Sequence, residues 1–163
     1  MAKGTLILGV GNLLLSDEGV GVHVARRLQA ATLPEDVEVL DGGTTGYELM
    51  DVVCGRDRLV VVDCLGAPEP PGTIVRASPD ELELDWPAVC SAHQTGLREL
   101  FQGIRRNCPE MEVVVIGIVP EKAGVPGMEL SETIARRLSR LESLVLETAV
   151  VRSGESAVRR STS

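Results

Sequence analysis

The sequence predicts an α/β fold: a three-layer α/β/α sandwich in which a mostly parallel, twisted sheet of about five strands carries helices on both faces. Three observations predict it. Short apolar, β-branched runs alternate along the chain with longer segments of helical periodicity. Glycine-rich turns follow the carboxyl ends of the first two runs. A length of 163 residues serves one hydrophobic core and would starve a second. We take residues 1–150 as one domain and residues 151–163, polar and aperiodic, as a flexible tail.

Residues 5–10 form an apolar run closed by Gly9 and Gly11, which suits a buried strand. Val20, Val24, Leu28 and Ala31 fall at helical spacing and predict a helix over residues 17–31, with Ser16 as its N-cap. Residues 37–41 read as the second strand, residues 42–46 as a glycine-rich turn, and residues 47–53 as a short helix. Residues 58–63 are a β-branched third strand ending in an acid, Asp63. After a proline-rich connection at residues 68–71, residues 73–76 fit a short antiparallel strand at a sheet edge, where prolines are tolerated. Leu97, Leu100, Phe101 and Ile104 make one face of a helix that begins just after His93. Residues 112–119 are a further buried strand. Leu130, Ile134, Leu138, Leu141, Val145 and Thr148 line one side of a long last helix whose other side is charged. Crossovers between parallel strands are expected to be right-handed.

Composition narrows the function. A formal net charge of −8 opposes a nucleic-acid partner, whose phosphates are neutralised by Lys and Arg. The three aromatic residues, Tyr47, Trp86 and Phe101, are too few to stack on a single strand. Apolar stretches such as residues 113–119 fall well short of the roughly 20 residues of a membrane-spanning helix, and the start lacks a signal peptide's apolar core. We therefore expect a cytoplasmic protein with no membrane partner. Cys54, Cys64, Cys90 and Cys108 form no C-x-x-C pair and no zinc-finger spacing, so they are expected to be reduced and to act as small buried hydrophobes.

Gly9-Val10-Gly11-Asn12 after a strand opens like a dinucleotide-binding loop, but the third glycine of that pattern is replaced by Leu14. Asp41, at the end of the second strand, remains placed to serve a ribose, so a Rossmann-like nucleotide-binding enzyme stays as an alternative. No Walker lysine and no G-x-S-x-G elbow is present. In doubly wound sheets, ligands bind beyond the carboxyl ends of the strands where the strand order reverses. If the second and third strands flank the first, that crevice opens between the loops carrying Glu18 and Asp63.

Glu18, Asp63 and His93 each have a plain structural reading. Asp17 and Glu18 can complement a helix dipole, Asp63 can terminate a strand and accept loop amides, and His93 can enter a helix without any ligand. Together they form a donor set of two carboxylates and one imidazole. Such a set suits a divalent transition metal and leaves positions open for water or substrate. A metal held this way polarises a peptide carbonyl and acidifies a bound water, and without metal a carboxylate there serves as general base. No H-E-x-x-H helix is present, and His23 is expected to have a solvated or packing role.

Four segments carry a resemblance: Leu8-Gly9-Val10-Gly11-Asn12-Leu13-Leu14-Leu15-Ser16-Asp17-Glu18-Gly19-Val20-Gly21, Leu40-Asp41-Gly42-Gly43-Thr44-Thr45-Gly46, Val62-Asp63, and Ser91-Ala92-His93-Gln94-Thr95-Gly96. In order and spacing they resemble the nickel-iron hydrogenase maturation proteases, and the match extends to residue 149. The resemblance implies an endopeptidase that removes the C-terminal peptide of a hydrogenase large-subunit precursor. It also implies that nickel is supplied by that precursor rather than held tightly by the enzyme. The implied metal-contacting and catalytic residues are Glu18, Asp63 and His93, with Glu18 and His93 chiefly anchoring nickel and Asp63 also orienting or activating the attacking water. Asp41, Gly42, Gly43 and Thr44 are expected to line the same cleft, and the protein to act as a monomer. A non-cleaving nickel checkpoint or chaperone would use the same three residues. No motif matches the tail.

Overall fold

The computed structural model describes residues 4–85, 92–150 and 160–161, and within these the side chains of residues 4–82 and 95–150. Its central sheet comprises β1 (Thr5–Val10), β2 (Val37–Gly43), β3 (Arg58–Cys64), β4 (Ile74–Ala77) and β5 (Glu112–Ile118), in the order β2-β1-β3-β5-β4. β2, β1, β3 and β5 run parallel, and β4 is antiparallel to β5. Arg160–Ser161 adds a two-residue strand, β6, beyond β4, so β4 is paired on both sides rather than being the edge. The other residues of the expected tail lie outside the described residues.

α1 (Val20–Gln29) and α5 (Glu132–Val150) cover one face of the sheet, while α2 (Met50–Val53) and α4 (Ala92–Asn107) cover the other. A short α3 (Pro79–Asp85) follows β4. The central strands are buried on both sides, which is why they read as continuous apolar runs, and their two-residue period divides them between two cores. Ile7, Val60, Val62, Ile116 and Ile118 pack with Val20, Val24, Ile134, Leu141 and Val145. Leu6, Leu8, Leu59, Val61 and Val115 pack with Leu97, Leu100, Phe101 and Ile104. Each fully buried Leu, Ile or Phe contributes about 1.5–3 kcal/mol relative to exposure. Among the described residues no helix is long and apolar enough to cross a membrane.

Two glycines of the first segment set how closely α1 lies on the sheet. A Cβ on Gly9 would fall 2.1 Å from the carbonyl oxygen of Gly21, and one on Gly21 would fall 2.1 Å from that of Val62. Backbone therefore rests on backbone where α1 crosses β1 and β3, and no other residue fits.

Three expectations need correction. The helix does not run from residue 17: Ser16–Gly19 is a separate 3-10 turn and α1 opens at Val20. Ser16 is not a cap, because its hydroxyl donates instead to the Val125 carbonyl at 2.7 Å and its φ is 53°. Cys54 and Cys108 are not reduced thiols but a disulfide, with their Cα atoms 6.0 Å apart. Cys54 follows α2 and Cys108 follows α4, and these two ends meet on one face of the sheet, a proximity that a spacing of 54 residues conceals. Cys64 is a free, buried thiol as expected, and Cys90 lies outside the described residues.

Candidate functional site

The strand order reverses at β1, with β2 on one side and β3 on the other, and doubly wound sheets bind their ligands at such a point, between the loops after β1 and β3. Glu18 stands on the first of these loops and Asp63 near the end of β3, just before the second. Glu18, 6% exposed, sits in the 3-10 turn ahead of α1, and its Oε2 accepts the Gly124 N–H at 2.5 Å. Asp63, 0% exposed, ends β3 opposite Gly117 of β5. By alternation it shares the α4 face with Leu59 and Val61, and its Oδ1 accepts the Cys64 N–H at 2.8 Å. Cys64 turns to the opposite face. Burial pushes its thiol well above the ordinary thiol range, and the charges of Asp63, Glu18 and Asp17 push it further.

Asp17 has a role that sequence reasoning missed. It is 0% exposed, and its Oδ2 accepts N–H groups from Glu121 at 3.0 Å and Lys122 at 2.7 Å together with the Ser131 hydroxyl at 2.8 Å. Its Oδ1 accepts the Ser131 N–H at 2.7 Å. Ser131 in turn caps α5, its hydroxyl accepting the Ile134 N–H at 3.4 Å. Asp17 therefore ties down the connection from β5 to α5 instead of complementing the α1 dipole. Its partners lie 104 to 114 residues away in the chain, so nothing local announces them.

The end of β2 and the turn after it lie beside the loop after β1. Asp41 Oδ1 accepts the Gly43 N–H at 3.0 Å and Oδ2 accepts from Arg26 Nε at 3.1 Å, so both oxygens serve the turn and an ion pair. Gly42 is buried under Leu8 and Leu49, and Thr44 is exposed on the rim. Gly43 has φ 52°, and its carbonyl accepts the Gly11 N–H at 2.8 Å, joining this loop to the one after β1. Gly46 lies against the first turns of α4: a Cβ on it would fall 2.3 Å from the Gly96 carbonyl oxygen. That contact pins the start of α4 to the same edge of the sheet as Glu18 and Asp63. His93 is the second residue of α4, and its side chain lies outside the described residues. Among the described residues no group of three His, Cys, Asp or Glu side chains is disposed to hold a metal.

His23 packs rather than solvates. It is half-buried, with burial and then the Arg26 charge lowering its pKa against the opposing effect of the Met128 backbone. The nucleotide reading loses ground at α1. A pyrophosphate would sit at the positive N-terminus of that helix, where Asp17 and Glu18 already place two buried carboxylates.

Comparison with known proteins agrees with the fold. The sequence model of the family described as HycI, hydrogenase maturation protease, matches residues 22–148. The chain is 34% identical over 159 residues to the hydrogenase 2 maturation protease of Escherichia coli strain K12, covering 95% of each. It is 34% identical over 149 residues to a putative hydrogenase maturation protease of Methanocaldococcus jannaschii, covering 88% of this chain and 95% of that one. Among solved structures, the hydrogenase maturating endopeptidase HybD from Escherichia coli superposes with a TM-score of 0.81 at 32% identity over 96% of both chains. The NiFe hydrogenase maturation protease HybD from Thermococcus kodakarensis gives 0.74 at 28% identity, over 90% of this chain and 99% of that one.

Proposed function

Since this chain belongs to the hydrogenase maturation proteases, we propose that it is an endopeptidase that removes the C-terminal peptide of a nickel-loaded hydrogenase large-subunit precursor, working in the cytoplasm as a monomer. The nickel arrives as part of the substrate. Glu18, Asp63 and His93 meet it, Glu18 and His93 as anchors and Asp63 as both anchor and base. The observation that carries this reading is the pair of buried carboxylates, Glu18 and Asp63, at the point where the strand order reverses. Hard oxygen donors held away from bulk water suit a divalent cation brought in from outside, and a pair too few to saturate it leaves room for the substrate's own ligands.

Asp63 takes a proton from the attacking water, whose oxygen bonds to the scissile carbonyl carbon. The C–N bond then breaks, and the proton passes to the departing amine. Asp41, Gly42, Gly43 and Thr44 line the approach; Gly42 packs inward under Leu8 and Leu49, and the open space beside Gly43 lets substrate backbone come close.

The test is to incubate the protein with nickel-loaded and nickel-free precursor and read intact masses, with Asp63→Asn as control. Loss of a C-terminal peptide from the loaded precursor alone, abolished in the variant, is the expected result. An unchanged mass with a cognate precursor that still binds would replace cleavage by a non-cleaving checkpoint role for the same residues.

A further inference from the structure

We propose that Asp17 is a positioning residue for the site: by gripping the connection between β5 and α5, it holds the Gly124 amide against Glu18 and so sets the carboxylate that meets the substrate's nickel. This rests on the reading of Glu18 as a nickel anchor. The connection, residues 119–131, is exposed over most of its length and has no core of its own. What orders it is a set of hydrogen bonds to the loop after β1. The Ser16 N–H donates to the Gly127 carbonyl at 2.8 Å, the Gly127 N–H to the Leu14 carbonyl at 2.9 Å, and the Asp17 N–H to the Lys122 carbonyl at 3.1 Å. The Asp17 carboxylate supplies the charged part of this lacing, and its two oxygens hold the connection near both of its ends, at Glu121 and Lys122 and again at Ser131. Gly124 lies between those anchors, with φ +68°, and presents its N–H to Glu18 Oε2 at 2.5 Å. Bonds between charged acceptors and backbone N–H groups are the strong kind, and partners that orient a metal-contacting group tune its affinity for the metal.

Asparagine at position 17 cannot reproduce this grip. Its amide offers one acceptor oxygen and one NH2, so whichever way it turns, a donor faces either the Ser131 N–H or those of Glu121 and Lys122. The connection loosens, and the Gly124 N–H no longer holds Glu18 in one orientation.

The test is a double-mutant cycle on binding of nickel-loaded precursor, run in the Asp63→Asn background so that the precursor stays whole, together with amide hydrogen exchange at Gly124. Asp17→Asn is expected to weaken binding by roughly 10- to 100-fold and to speed Gly124 exchange. The same change added to Glu18→Gln is expected to cost less than about twofold more, because two residues acting through one contact are not additive. A full additive loss, unchanged binding, or unchanged Gly124 exchange in Asp17→Asn would overturn the inference. If Glu18→Gln alone leaves binding unaltered, the nickel-anchor reading fails, and the inference that depends on it is overturned with it. Gly124 exchange then tells only whether Asp17 holds the connection. Should Asp17→Asn lose its fold, Ser131→Ala, which removes one donor to Asp17 and the α5 cap but leaves the three backbone N–H bonds to the carboxylate, carries the same cycle.

Discussion

Replacing Gly46 by alanine should separate activity from stability. A Cβ there would fall 2.3, 2.4 and 2.5 Å from the O, C and Cα atoms of Gly96. Carbon atoms settle at roughly 3.5–4.0 Å, so the loop after β2 and the first turns of α4 must part by about 1 Å. Both partners are backbone, and no rotamer change relieves the clash. Overpacking of this kind costs about 1–3 kcal/mol, which for a chain of this size lowers Tm by roughly 2–12 °C. The effect on the reaction is larger, because α4 carries His93 one turn before Gly96 and a displacement of about 1 Å at a positioned group can slow a reaction by about 100-fold. The assay is single-turnover cleavage of nickel-loaded precursor followed by intact mass, beside a thermal melt. Gly55→Ala, in the turn before β3 at the strand end away from Asp63, is the control. Nothing lies within 4 Å of its added Cβ, and its φ of 102° makes the change cost about 1–3 kcal/mol without moving a neighbour. A Gly46→Ala protein that cleaves within about threefold of wild type, or a Gly55→Ala protein that is equally impaired, would refute the view that the Gly46–Gly96 contact places α4 for catalysis.

Asp63→Asn should slow cleavage by about 10²- to 10⁴-fold with little change in melting, since the amide oxygen can still accept the Cys64 N–H; a rate near wild type would remove Asp63 as base. Reducing the Cys54–Cys108 disulfide should destabilise the fold by about 2–4 kcal/mol in denaturant titration, and thiol counting before reduction should find neither cysteine reactive. The Cys64 thiol should resist alkylation at pH 8 in the native state. Its folded pKa lies above the unfolded one, so its contribution to stability is complete below the unfolded pKa and is lost as pH rises past it. Above about pH 9 this group alone should lower unfolding free energy by about 1.4 kcal/mol per pH unit, and Cys64→Ala should abolish that slope.

Features with a local cause were legible. The runs at Thr5–Val10 and Arg58–Cys64 read as buried strands because their residues are apolar on both faces, and α5 read as a helix because Ile134, Leu138, Leu141 and Val145 recur at its period. Glu18 and Asp63 were placed at strand ends by the same patterns, and the strand order does reverse at β1, between them. The Ser16 cap failed for an instructive reason. A serine before a helical period ordinarily caps it, but here the Val125 carbonyl, 109 residues on, takes the hydroxyl. The sequence also concealed that β4 gains a second partner at Arg160–Ser161 and that α2 and α4 end against one another at Cys54 and Cys108.

By itself, then, the sequence determined the order and type of the five main strands and the long helices, and the place of Glu18 and Asp63 near two strand ends, because periods of two and 3.6 residues and the rules of strand crossover act over one element or one neighbouring pair. Only the tertiary structure decided which side chains hold the site in shape. The four bonds of Asp17 to the connection after β5, the Gly124 amide on Glu18, and the backbone contact of Gly46 with Gly96 join segments 50 to 114 residues apart. A buried carboxylate looks for any donors the folded chain brings within hydrogen-bonding reach, and that supply is set by packing, not by neighbours in sequence.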